Sequence, residues 1–162
     1  MRRTAVLAGS VAIALATGGV LAVTGGAEAP SGTTLKYISK GGVFKFVDAS
    51  PKARSEEDAS SGDAFLLSSG MYSTSNKRVG TIDAHCSFTR GGRRARGVCN
   101  GVYDLPDGEI HISARLSTGA TVSGVVVGGS GAYLGARGTF TSFDRPGEAG
   151  GDPSDETITL LP

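Results

Sequence analysis

Tryptophan is absent, aromatic residues make up only 6% of the chain, and there are two cysteines and two histidines. Without a core tryptophan or a widely spaced cysteine pair, an immunoglobulin-like sandwich lacks its usual markers. Neither sign of charge is in surplus, 16 Lys and Arg standing against 15 Asp and Glu. Nucleic-acid binding irrespective of base sequence rests on an excess of cations, so that partner class is not expected. At 162 residues the chain is too short for a long multidomain enzyme. It carries no phosphate-cradling Gly-Lys-Ser/Thr loop and no Gly-x-Ser-x-Gly nucleophile elbow. What it has in quantity is glycine, 26 residues with no three-residue period. That content argues against a helix bundle. The Val, Ile, Thr and Ser between the glycines favour short strands joined by tight turns.

Residues 1–29 carry the parts of an export signal in order. Met1-Arg2-Arg3 is basic, Ala5 to Val23 is apolar and uncharged, and Ala27-Glu28-Ala29 offers a small-x-small cleavage site before Pro30. The expectation is a signal peptide cleaved after Ala29 and a secreted, extracellular domain of residues 30–162 with no membrane span after cleavage. The alternative is a retained anchor, because Thr4 to Thr24 is nearly long enough to cross a bilayer. Loss of Arg2, Arg3 and Glu28 leaves the remaining acids and bases equal in number. They are unevenly placed: Arg90, Arg93, Arg94 and Arg96 cluster in one stretch, and Asp144, Glu148, Asp152, Asp155 and Glu156 in another. Two solvated loops is the plain interpretation. An anionic partner at the arginines is the other.

The two cysteines of an exported chain are expected to pair. Ile82, Ala84, Cys86 and Phe88 alternate with Thr81, Asp83, His85 and Ser87, as a half-buried strand requires, and Cys99, Gly101 and Tyr103 continue on a second strand. A hairpin centred near Gly92 and Arg93 sets Cys86 and Cys99 roughly opposite one another. Further strands are predicted at 34–39 and 43–48, flanking a Lys40-Gly41-Gly42 hairpin turn, and at 63–72, 109–116, 121–127, 138–143 and 156–161. Residues 51–62 are expected to form a loop, and Leu105-Pro106-Asp107-Gly108 a tight turn. Eight or nine strands with short connections suit a closed antiparallel barrel, which removes exposed edges.

Gly128-Gly129-Ser130-Gly131-Ala132-Tyr133-Leu134-Gly135-Ala136-Arg137-Gly138 resembles the glycine-rich Tyr/Phe and Ala-Arg-Gly signature shared by plant dirigent proteins and the allene oxide cyclase family. Gly62-Asp63, Tyr72, Lys77-Arg78-Val79-Gly80 and Cys86 are similar, in order, to an upstream oxide cyclase run. Cys99 and the Pro-Asp-Gly turn look most like the secreted bacterial branch of that group. The resemblance spans residues 37–142. It implies an all-β fold, a single closed antiparallel eight-stranded calycin-like barrel of the allene oxide cyclase type. Its lumen holds a small apolar or phenolic metabolite while that molecule cyclises or couples, so that catalysis is largely restriction of orientation. No cofactor is implied. The expected partners are that metabolite and, as an open alternative, further copies of the chain.

Carried over by position, the resemblance makes Asp63, Ser69, Tyr72, Tyr133 and Arg137 candidate ligand-binding residues. The oxide cyclase asparagine falls on Ser69, its cysteine on Cys86, and its glutamate near Ile38, where no carboxylate stands. Each candidate also has a structural role open to it. Asp63 suits a turn cap, Arg137 an anchor for the glycine turn, and the tyrosines core positions. His85 and His111, with Asp83, fall on polar strand faces, where solvated side chains are expected and a metal site is not. The rival function is a non-catalytic secreted domain with a filled barrel, contacting its partner through the arginine-rich tip.

Overall fold

Alternation of apolar and polar side chains decides the architecture, because a strand that buries every second residue needs a common interior to bury it in. The computed structural model describes residues 32–49, 59–116, 120–146 and 153–162. Its strands are β1 (Thr33–Val47), β2 (Ala64–Ser73), β3 (Arg78–Arg90), β4 (Arg96–Leu105), β5 (Gly108–Leu116), β6 (Thr121–Gly129), β7 (Gly138–Asp144) and β8 (Ser154–Leu160). Each pairs antiparallel with the next, and β8 returns to β1, giving a closed eight-stranded barrel. Ile82 and Cys86 of β3, and Ile110, Ile112 and Ala114 of β5, are buried inside, whereas Asp83 and His85 face out. No helix among the described residues is long and apolar enough to cross a membrane. The leader assigned to residues 1–29, and residues 51–58 of the expected loop, lie outside the described residues.

The cysteine hairpin forms as expected. Cys86 and Cys99 face each other in the β3–β4 ladder, joined by a disulfide with the Cα atoms 4.0 Å apart. Pro106 and Asp107 make the two-residue connection between β4 and β5. One expectation is corrected. Lys40-Gly41-Gly42 is not a hairpin turn, for Tyr37–Lys40 and Val43–Val47 both pair with β2 in a single strand whose register shifts between Lys40 and Val43. The glycines make a bulge. A Cβ on Gly42 would collide with Ser69 Oγ and come within 2.7 Å of the Ser68 carbonyl oxygen, so the bulge lets β1 lie close against β2.

The two ends of the barrel differ. At one end Met71, Tyr103, Leu105, Ile110 and Ile158 pack into a core from which water is excluded. The glycine-rich stretch between β6 and β7 closes this end through a single 3-10 turn at Gly131–Tyr133. Gly131 has φ +58° and sits against the Asp107 carbonyl, which also accepts a 2.8 Å bond from Ala132 N. A side chain at Gly131 has neither the backbone conformation nor the space it needs. The signature is thus a plug seated on the Pro106-Asp107 turn. At the other end the interior is open.

Candidate functional site

A cavity of about 530 Å3 fills the open half of the barrel. Its walls include Phe44, Phe65, Leu67, Leu116, Val122 and Phe140, and Phe44 and Phe65 stack with ring centres 5.1 Å apart. The disulfide forms part of the β3–β4 wall, and Ser69 lines the β2 side. Such a space suits one modest organic molecule.

The floor is polar. On β8, Glu156 and Ile158 point inward and Thr157 between them outward, so a carboxylate is carried into the interior by the same alternation that buries Ile158. Glu156 is only 3% exposed. Ser39 of β1 and Ser142 of β7, the flanking strands, each donate to Glu156 Oε1 at 2.9 Å. Tyr103 reaches across from β4 on the far wall and donates to Oε2, also at 2.9 Å. This Tyr–Glu bar separates the packed half of the barrel from the open half. With two bonds on Oε1 and one on Oε2, the carboxylate retains acceptor capacity at Oε2.

Burial raises the Glu156 pKa above the ordinary carboxylate range, and the nearby Asp144 charge adds to the effect. The hydroxyl bonds from Ser39, Tyr103 and Ser142 oppose it, because they favour the charged form. Burial also pushes the Tyr103 phenol well above its usual value, with the charge of Glu156 in support, so Tyr103 stays a neutral donor. A carboxyl group held in this way is equipped to accept or return a proton at an apolar molecule above it.

Of the sequence-derived candidates, Ser69, Cys86 and Cys99 lie in the cavity wall. Asp63, Tyr72, Tyr133 and Arg137 lie outside it. Tyr72 carries the Lys40 ammonium 4.5 Å from its ring centre. Tyr133 belongs to the closed end, packed on the core and hydrogen-bonded to Tyr37, and burial first of all raises both phenols. Arg137 is exposed, and its carbonyl accepts from Leu161 N at 2.8 Å. His85 and His111 sit on separate strands, His85 near Ser87 and His111 beside Glu109.

Asp63 is fully buried, and its carboxylate clasps both ends of the β1–β2 connection, accepting from Ala49 N at 2.8 Å and Ser60 N at 2.6 Å. The Ser60 amide is the main cause of a pKa below the ordinary range, with the Ala49 amide contributing, against the opposing effect of burial. A lowered carboxyl pKa stabilises the fold above the unfolded-state value and ceases to do so as pH falls through the folded-state value. Asp63→Asn should therefore lower the melting temperature at neutral pH and flatten the acid limb of the stability curve. Its amide nitrogen would oppose one of the two backbone donors. Thermal melts of both proteins between neutral and strongly acidic pH test this, and superimposable curves would dismiss the clasp.

The sequence argument missed Glu156, grouping it with the acidic C-terminal stretch. The signal was the period-two pattern of Glu156, Ile158 and Leu160, which places all three on one face.

No family model matches the chain, and no curated protein matches it in sequence. Solved structures do match. A pyocyanin demethylase aligns at 22% identity and TM-score 0.67, covering 80% of this chain and 100% of that one. A pterocarpan synthase dirigent protein aligns at 16% and 0.63, covering 83% and 97%. An exo-specific intermolecular Diels-Alderase aligns at 16% and 0.57, covering 80% and 98%. At these identities the likeness establishes the barrel fold.

Proposed function

We propose that this barrel binds a small apolar or phenolic metabolite in its lumen and directs the cyclisation or coupling of that molecule, with Glu156 moving a proton at its buried end. The observation that carries this reading is a carboxylate, held by three hydroxyls, at the floor of a cavity with several apolar and aromatic wall residues. Apolar walls fix the molecule's fold and face, and Glu156 Oε2 fixes which end goes down. Orientation then supplies most of the rate advantage, and proton transfer supplies the rest. The dirigent protein and the Diels-Alderase named above share this architecture, which supports the reading by analogy. The same proposal includes cleavage after Ala29 and an extracellular site of action. A disulfide of this kind persists in oxidising compartments.

The test is a fluorescence titration of the protein with N-phenyl-2-naphthylamine, a neutral dye bright in apolar surroundings. Saturable one-to-one binding is expected, and Ala84→Phe, which enlarges a wall residue, should weaken it at least about tenfold, since overfilling a close-packed space is costly. Absence of saturable binding would instead favour the non-catalytic domain acting through its outer surface.

A further inference from the structure

The polar groups of the cavity are not spread evenly around it. Along β3, β4 and β5 it is lined by Ile82, Ala84, Ile112, Leu116 and the disulfide, with Tyr103 at the floor. Across the ring stand β7 and β8, with β1 beside them. These strands bring Ser39, Ser142, Asp144, Ser154 and Glu156 to the cavity. One side of the space is therefore apolar, and the other carries a seam of hydroxyls and carboxylates that runs from floor to rim.

Register sets the spacing along the seam. Ser142 opposes Glu156 in the β7–β8 ladder, and Asp144 opposes Ser154. Asp144 lies two residues nearer the mouth than Ser142 and on the same face, so it is the diagonal neighbour of Glu156, at about 7 Å between the two positions. Glu156 is buried, whereas Asp144 is exposed at the rim. Ser154 Oγ donates to Asp144 Oδ1 at 2.7 Å, and Oδ2 has no partner among the described residues. Lys40 also lines the cavity, but its ammonium donates to Asn76 Oδ1 at 2.6 Å and lies 4.5 Å from the ring centre of Tyr72, two residues outside the wall. The seam thus offers two acceptors with capacity to spare, Glu156 Oε2 at the floor and Asp144 Oδ2 at the mouth.

Resting on the lumen-binding reading above, we propose that the preferred ligand is a flat aromatic molecule with a hydrogen-bond donor at each end of its long axis, one on Glu156 and the other on Asp144. Its ring system lies between the seam and the apolar strands β3 to β5. A donor bonded to a carboxylate makes one of the stronger kinds of hydrogen bond. When both donors sit on one rigid frame, the second bond forms without a further loss of freedom, so it adds directly to affinity. Asp144 is then the specificity-determining residue of the site. It favours molecules with donors at both ends over those with a donor at one end, and over those whose two donors are adjacent.

Three naphthols, followed by their own fluorescence, test this: 2-naphthol with one hydroxyl, 2,6-dihydroxynaphthalene with hydroxyls at opposite ends of the rings, and 2,3-dihydroxynaphthalene with two hydroxyls side by side. The protein should bind the 2,6-diol about tenfold more tightly than 2-naphthol, the gain of one charge-assisted bond at an exposed rim, and the 2,3-diol no more tightly than 2-naphthol. In Asp144→Ala the affinities for the 2,6-diol and 2-naphthol should converge, and continued binding of 2-naphthol shows that the variant is folded. Equal gains for the two diols would overturn the proposal, because donor number and not donor placement would then decide affinity. A preference for the 2,6-diol that survives Asp144→Ala would overturn it equally. Failure of 2-naphthol and N-phenyl-2-naphthylamine alike to bind would remove the lumen-binding reading and this proposal together, whereas good binding of 2-naphthol with no gain for the 2,6-diol would remove this proposal alone.

Discussion

Replacing Cys86 and Cys99 together by alanine should lower the free energy of unfolding by about 3 kcal/mol, the value loop-closure entropy assigns to a cross-link of this span. The bond joins positions 13 apart in sequence that already oppose each other in the β3–β4 ladder. Its effect therefore falls on the unfolded chain, where it holds the hairpin ends together, more than on native contacts. In a domain whose net stability is about 5–15 kcal/mol, this is a substantial fraction. Alanine is the proper replacement, because serine would set two hydroxyls in an apolar wall. Urea unfolding of the oxidised protein, the reduced protein and the double variant measures the effect. The latter two should share a midpoint well below the first, and coincidence of all three would refute it.

Glu156→Ala should cost about 2–3 kcal/mol at neutral pH, since Ser39, Tyr103 and Ser142 all lose a charged acceptor in a largely buried site. Glu156→Gln separates charge from shape. Burial raises the pKa of Glu156, so the folded state favours its protonated form. The contribution of that preference to stability is complete below the unfolded-state carboxyl pKa and disappears as pH rises through the raised folded-state value. The stability of the unmodified protein should thus decline across mildly acidic pH relative to Glu156→Gln, opposite in sign to the Asp63 limb at lower pH. Parallel curves for the two proteins across that window would eliminate the buried ionisation. If the proposed function holds, Glu156→Gln also leaves an apolar dye bound while abolishing any proton-dependent turnover.

Legibility of the fold in sequence varied with how local the deciding interaction is. The Cys86–Cys99 opposition and the Pro106-Asp107 connection depend on residues at most 13 positions apart, and both were readable. The bulge at Gly41 and Gly42 was not, because two glycines after a lysine have the composition of a turn, and only the proximity of Ser69 on β2 shows that the chain continues straight. The site depended on distant elements throughout. Asp155 and Glu156 are adjacent in sequence, yet Asp155 pairs outside with Arg145, through bonds of 2.9 and 2.5 Å, while Glu156 meets a tyrosine 53 residues earlier. Grouping them as one acidic stretch concealed the alternation that sends them to opposite sides of the sheet. Ser69 lines the cavity, but the interior carboxylate comes from β8, beside the β1 position where the family pattern has its own.

The seam between β1 and β8 also orders the folding of the chain. Thr34 and Thr159, whose hydroxyls lie 3.5 Å apart across this seam, are 125 residues apart in sequence. Bringing them together incurs the largest loop-closure entropy in the molecule, and every other strand pair joins sequence neighbours. The β3–β4 hairpin has what it needs to zip and oxidise early, whereas the ring stays open until its last strand arrives. Until then β1 and β7 each present an unpaired edge, and the cavity has no floor, because the residue that forms it travels on the strand that closes the ring.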